Sequence, residues 1–558
     1  MMRLRPYVPF VVGAALTGLA TFPLPLAAQF VDPPPPAAYA LQGVTVVNAD
    51  GGRLAGVNIV IRDGLIEAMG PNVELPADAE VLEGDSLMVF PGFIDAQGTA
   101  EYEFPEPEVE RSQIKPWAPP RTAQSFVPHR KVVDYLTATG EDLTDQRKKG
   151  VVAAAVLADG RLMPGRGTVL LYRKDAGTPQ ELVMIPEMGP VLSFRGAPGV
   201  YPSQVFTVMA FIRQSFEDAQ RDGLILQAYA ENPVGVPTPS WDPDYAVLRE
   251  VLDGQTVYFM ADQAEDIRNA LTLQDEYGLR PVIVGGGEAW KAADRLRQNN
   301  VPVFVSLDFP SPDRWEPEQP DSGEEATAEQ ELDAAAQQEK ERIEGYYANA
   351  ARLAESGVTF ALTSGGGDAD IREGVRKAIE YGLSEADALQ AVTATPATLL
   401  GIPYLVNIDQ GMAATFIVTD GELFAEETHI AYTFVAGAME KGQLGGGGGG
   451  EAPAVDMTGT WEIVIDGDMM ATMTLTQQEG AVSGTFSLGD MGSGDVSGTV
   501  SGNSISFTID VTAGGQAMEV GIEGTVSGDS ASGDGTSPMG DFSWTAEKKG
   551  GPGEEARR

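Results

Sequence analysis

Between residues 256 and 362, short apolar runs alternate with helical patterns, and this alternation limits the fold more than any other feature of the chain. TVYFM (256–260), PVIV (281–284), PVFVSL (302–307) and VTFAL (358–362) have strand length and are apolar on both faces. Helical periodicity occupies QVFTVMAFIRQSFEDAQRDG (204–223) and AEDIRNALTLQDEYG (264–278). Strands buried on both faces and followed by amphipathic helices predict a parallel sheet. So many such units over roughly 300 residues favour closure into a (β/α)8, TIM-like barrel.

The flanks have a different rhythm. ALQGVTVVNADGG, GVNIVIRDGLIEAMG and EVLEGDSLMVFPG are short β-branched runs separated by Asn, Asp and Gly turns. Strand patterns return at AATFIVTDGELF (413–424) and HIAYTFVAGAME (429–440), predicting a small β-sandwich built from both flanks of the barrel. Beyond a glycine run at 445–450, a phrase recurs as TGTW (458–461), SGTF (483–486), SGTV (497–500) and EGTV (523–526). That repetition predicts a separate all-β meander or barrel. In ATMTLT (471–476), Ala471, Met473 and Leu475 share one face. The predicted organisation is a signal peptide at 1–28, sandwich strands at 29–90, a barrel at 91–400 and returning strands at 401–444. A linker at 445–453, the β module at 454–548 and a disordered tail at 549–558 complete it. Within the barrel, an acidic insertion at 309–347 predicts a solvated loop and then a charged helix, an excursion over the surface rather than a lid.

Charge narrows the partners. Acidic residues outnumber basic ones 81 to 37, for a net charge of −44, which argues against nucleic acid and anionic membranes. Arg3 and Arg5 precede a short apolar stretch and PLPLAAQ, the pattern of a leader cleaved after Ala28. The expected mature protein is periplasmic or secreted and has no membrane span. The chain has no cysteine, so neither a disulfide nor a thiolate metal ligand is available.

VNADGGRLAGVNIVIRDGLIEAMGPNVELPADAEVLEGDSLMVFPGFIDA, GLSEADALQAVTATPATLLGI (382–402) and NIDQGMAATFIVTDGEL (407–423) together resemble the amidohydrolase superfamily, in its exported, imidazolonepropionase-like form. The resemblance covers roughly 41–442 and implies a barrel flanked by a β unit from both chain ends. It also implies hydrolysis of C–N bonds by a water bound to one or two divalent metals, usually zinc. The implied ligands are an HxH pair, two further histidines, a late aspartate and often a lysine or glutamate bridge.

At the matching positions this chain has other residues. The HxH pair falls on Gln97 and Thr99, the later histidines on Met260 and Gly285, and the aspartate on Gly365. The whole chain has two histidines, His129 and His429, whereas the implied site needs four. Zinc is therefore not an expected cofactor. Oxygen donors near the strand ends include Asp95, Asp262, Asp368 and Ser364, the candidates for a non-standard pocket. For Asp262 and Asp368 the ordinary role is capping the following helix, and for Ser364 a turn. Three functions follow as expectations. The first is a binding protein or partner of an active homologue, taking a small molecule or peptide in the barrel mouth without metal hydrolysis. The second is a hydrolase with an unrecognised site. The third is a scaffold whose C-terminal β module does the binding.

Overall fold

A computed structural model describes residues 38–442, apart from 84–86, 106–113, 311–333 and 368, and residues 455–549 with short breaks. The predicted leader, linker, first half of the acidic insertion and most of the tail lie outside the described residues.

The first strands are Ala38–Val47 (β1), Arg53–Arg62 (β2), Leu65–Gly70 (β3), Ala79–Glu83 (β4) and Met88–Pro91 (β5). β2 and β3 are joined by Asp63 and Gly64, at φ 51° and 80°. Two positive φ angles make the primed turn that matches the twist of a hairpin, which explains the Asp-Gly pair. Next come Phe93–Asp95 (β6), Val151–Val156 (β7), Thr168–Leu171 (β8), Val183–Ile185 (β9) and Val191–Ser193 (β10). Thr256–Ala261 (β11), Arg280–Gly285 (β12), Val303–Ser306 (β13) and Phe360–Thr363 (β14) follow. The returning strands are Phe416–Thr419 (β15), Ile430–Val435 (β16) and Ala438–Lys441 (β17).

Both flanks enter one eight-stranded sheet, ordered β17-β16-β15-β5-β1-β2-β3 with β4 beside β1. The predicted sandwich is thus a single sheet, and strand alternation divides its side chains between two cores. Val89, Phe416 and Val418 join the sheet's own core, whereas Met88, Phe90 and Ile417 join the main one. The 429–440 pattern, read as one strand, is a hairpin of β16 and β17 turning at Ala436 and Gly437.

The main unit is mixed α/β. β10 to β14 form an all-parallel sheet in sequence order. β6 pairs in parallel with β7, which continues antiparallel into β8 and β9. The parallel strands therefore lie in two ladders, and antiparallel strands follow β7 where a regular (β/α)8 barrel has a helix. The predicted helices form at Val205–Glu231 and Ala264–Tyr277, the first eight residues longer at its C-terminal end than its sequence pattern. Among the described residues, no helix is long and apolar enough to cross a membrane.

The insertion ends in a charged helix, Ala334–Tyr347, that is solvated at Gln337, Gln338, Glu341 and Arg342 and buries its other face. Ile343 and Tyr347 are buried, and Tyr347 packs edge-on against Phe309 at 5.1 Å. Aromatic burial overrides the charged composition of this segment.

The C-terminal module is a closed barrel of eight antiparallel strands, from Gly459–Ile465 to Phe542–Lys548, whose first and last strands pair. The last residue of each recurring phrase, Trp461, Phe486, Val500 and Val526, is buried in its core. Ala471, Met473 and Leu475 join them, as the alternation predicts.

Candidate functional site

Several parallel strands of the main unit carry the candidate positions at their carboxyl ends. Asp95 closes β6, Met260 stands next to last in β11, Gly285 closes β12 and Thr363 closes β14. In α/β folds, the loops after the carboxyl ends of parallel strands form the site. Here a cavity of about 600 Å³ is lined by Gln97, Gly98, Thr99, Tyr102, Phe104, Leu157, Asp159, Met260, Gly365 and neighbouring residues. That volume lies within the range of small-molecule sites. Four of the five positions where the resemblance implies metal ligands, Gln97, Thr99, Met260 and Gly365, thus lie on one wall.

None of those four carries an imidazole or carboxylate. Among the described residues, no group of three His, Cys, Asp or Glu side chains could hold a metal ion. The backbone also opposes one. Gly365 has φ 79° and Gly285 has φ 92°, left-handed values that side chains with a Cβ rarely adopt. A Cβ on Gly365 would sit 2.4 Å from Ser306 Oγ. An aspartate at 365 would have to adopt this left-handed backbone and displace Ser306 Oγ, and the residues present supply no imidazole or carboxylate in its place, so they do not fit the family's metal.

The candidate carboxylates separate. Asp95 is fully buried, accepting from Thr363 Oγ1 at 2.5 Å, Gln97 N at 3.0 Å and Ser364 N at 3.3 Å. Burial pushes its carboxyl above the ordinary aspartate range, and those donors act in the opposite direction. Ser364 is also buried, and its hydroxyl donates to Gln97 O at 3.3 Å. Neither Asp95 nor Ser364 lines the cavity. Both hold the floor beneath it, together with Gly366 N, which donates to Gln97 O at 2.6 Å.

Asp262 belongs to another cluster. Its Oδ1 accepts from Gly287 N at 2.9 Å, and it does not cap the helix that follows. Glu288 provides that cap, accepting from Ala264 N at 3.0 Å. Burial, and then the charge of Glu288, raise the Asp262 carboxyl, although its side chain reaches solvent. Asp368 lies outside the described residues, and the capping expected of it is done by Asp370, which accepts from Arg372 N at 2.8 Å.

The two histidines lie on separate carboxylates. His129 Nδ1 is 2.5 Å from Asp244 Oδ1, and His429 Nδ1 is 3.5 Å from Asp420 Oδ2. Sequence reasoning missed Tyr172, whose buried hydroxyl donates to Thr99 O at 2.6 Å and positions the cavity wall. Burial, and then the charge of Asp95, raise this hydroxyl. It also missed Tyr102, which donates to Leu157 O at 3.2 Å and accepts from Asp159 N at 2.7 Å. Tyr102 belongs to the EYEF aromatic stretch just after the first strand end, which was the available signal.

No protein-family model matches the chain, and no curated protein matches it. Among solved structures it is similar to an amidohydrolase from Thermotoga maritima, at 21% identity and a TM-score of 0.56. That match covers 73% of this chain and all of the other. It is also similar to a putative prolidase from Bifidobacterium longum, at 17% identity and a TM-score of 0.42, over 73% of this chain and 97% of that one. The first likeness is one of fold.

Proposed function

We propose that this chain, which has the amidohydrolase fold, is an exported binding protein that holds a small molecule or peptide at its strand ends without the metal-driven hydrolysis of that superfamily. The observation that carries this reading is the wall itself. Gln97, Thr99, Met260 and Gly365 share one cavity, and the aspartate position is a left-handed glycine packed against Ser306. Export rests on the leader sequence, and periplasm or secretion follows from it.

We read the two parallel ladders as arcs of one irregular TIM-like barrel. Supporting this are the bonds from Thr363 and Ser364 to Asp95, which tie β14 to β6, and the Thermotoga maritima likeness. A hydrolase working through Asp95 and Ser364 is disfavoured because both are enclosed beneath the cavity and committed to backbone and threonine partners. A ligand held inside the C-terminal barrel is disfavoured because its interior is filled by its own apolar core.

Metal analysis of the mature protein, purified without chelator, tests the proposal. The expected result is zinc far below one ion per chain and no chelator-sensitive hydrolysis of amide substrates. Stoichiometric zinc, with hydrolysis lost on chelation and restored by zinc, would overturn it.

A further inference from the structure

From the distribution of hydrogen-bonding groups around the cavity, and resting on the binding function proposed above, we infer that its ligand is a protonated amine attached to an apolar or aromatic body. The cavity wall has an excess of acceptors. Among the described residues that line it, the charged ones are Glu101 and Asp159, both exposed, and none is Lys, Arg or His. Among the described residues, neither carboxylate has a salt-bridge partner. Gln97 adds no donor to the cavity. Its Nε2 donates to Gly365 O at 3.1 Å, which fixes the amide's orientation, and its Oε1 is shielded from solvent with no hydrogen-bond partner. The Tyr102 hydroxyl is engaged as both donor and acceptor.

The rest of the wall is apolar. Tyr102 and Phe104 meet edge to face at 4.9 Å, and Leu157, Val156 and Met260 complete the surface. Arg130 lies 4.8 Å over the Phe104 ring and is not among the residues that line the cavity. Two exposed carboxylates at the cavity set up a negative potential that attracts cations and repels carboxylates. A free aralkylamine and the N-terminal amine of a peptide share this chemistry.

Calorimetric titration of the mature protein with 2-phenylethylamine, 2-phenylethanol and 3-phenylpropionate tests the assignment. The amine is expected to bind at least tenfold more tightly than the propionate and to weaken between 20 and 300 mM salt, by the screening of exposed charges. Asp159→Asn and Glu101→Gln, at exposed positions that leave the fold intact, are each expected to weaken the amine about three- to tenfold. Phenylalanyl-glycinamide and its N-acetyl form separate the sources: binding of the free peptide and not the acetylated one assigns a peptide amine, and binding of 2-phenylethylamine alone assigns a free amine. Propionate binding equal to or tighter than the amine, or an amine affinity unchanged in both variants, would overturn the amine assignment while leaving the cavity as the binding site. Failure of every probe to bind overturns both.

Discussion

The Thr363 hydroxyl donates to the Asp95 carboxylate at 2.5 Å, joining the ends of β14 and β6 across 268 positions of sequence. The acceptor is fully buried and the donor is too, so water cannot replace the bond. The residue that the resemblance places at the start of a metal site is here a structural acceptor beneath the cavity.

Thr363→Val removes that donor at nearly constant volume. Hydrogen bonds to charged groups contribute about 1.5–3 kcal/mol and neutral ones about 1 kcal/mol. Burial already raises the Asp95 carboxyl above its unfolded value. A raised acid contributes stability at pH below the unfolded value and loses it as pH rises through the folded one. Removing Thr363 raises the folded value further, so the loss with rising pH becomes steeper. The variant is expected to be less stable than the parent by about 2 kcal/mol at pH 7.5 and by less at pH 4.5. Urea denaturation at the two pH values measures the difference; a cost that shrinks as pH rises would contradict it.

Gly365→Asp supplies the carboxylate of the superfamily's site and is expected to destabilise without creating one. A non-glycine residue at φ 79° is strained by about 1–2 kcal/mol, and the approach to Ser306 Oγ adds overpacking of about 1–3 kcal/mol. Ser306→Gly in the same background should recover the second part only. Urea midpoints of the single and double variants separate the two contributions, and a fully stable Gly365→Asp protein with one bound zinc would refute the account.

How much was legible depended on the range of the interaction. The strands at 256–363 and the Ala264–Tyr277 helix were readable because a buried strand or an amphipathic helix is written in a local window. The Asp63-Gly64 turn was readable for the same reason. β7 was not singled out, although VVAAAV is strand-like, and the antiparallel β8 and β9 after it arise from pairing that no local pattern encodes. Asp95 stood out as a carboxylate at a strand end. Its enclosure by Thr363 and Ser364 depends on contacts across the sheet and leaves no trace in sequence. Capping fell to Asp370 and not Asp368 because helix boundaries shift by a residue or two within an acidic stretch.

The returning flank is held by a buried ion pair. Arg147 donates from Nε to Glu440 at 2.9 Å and from Nη1 to Gly140 O at 2.6 Å, and Lys174 reaches Glu440 at 3.1 Å. Glu440→Ala leaves the buried guanidinium without its counter-charge, which costs about 3–5 kcal/mol. Replacing both partners, as Arg147→Met with Glu440→Leu, removes the desolvation of the charges and should recover most of that loss. Chemical denaturation of the two single variants and the double variant supplies the coupling; additive losses would show that the pair does not act as a unit.

In the C-terminal barrel, position along a strand decides the cost of a substitution. Trp461 is fully buried, and its Nε1 donates to Met457 O at 2.8 Å. Met470, on the adjoining strand, is 64% exposed. Trp461→Ala opens a cavity in a core without disulfides and is expected to cost about 3–5 kcal/mol. Trp461→Phe keeps much of the volume but leaves the Met457 carbonyl without its donor, for a loss of about 1–3 kcal/mol. Met470→Ala should lie within about 0.5 kcal/mol of the parent. Urea midpoints should therefore fall in the order Met470→Ala, Trp461→Phe, Trp461→Ala. A Met470→Ala loss as large as that of Trp461→Ala would mean that the inward and outward faces of this barrel are assigned the wrong way round.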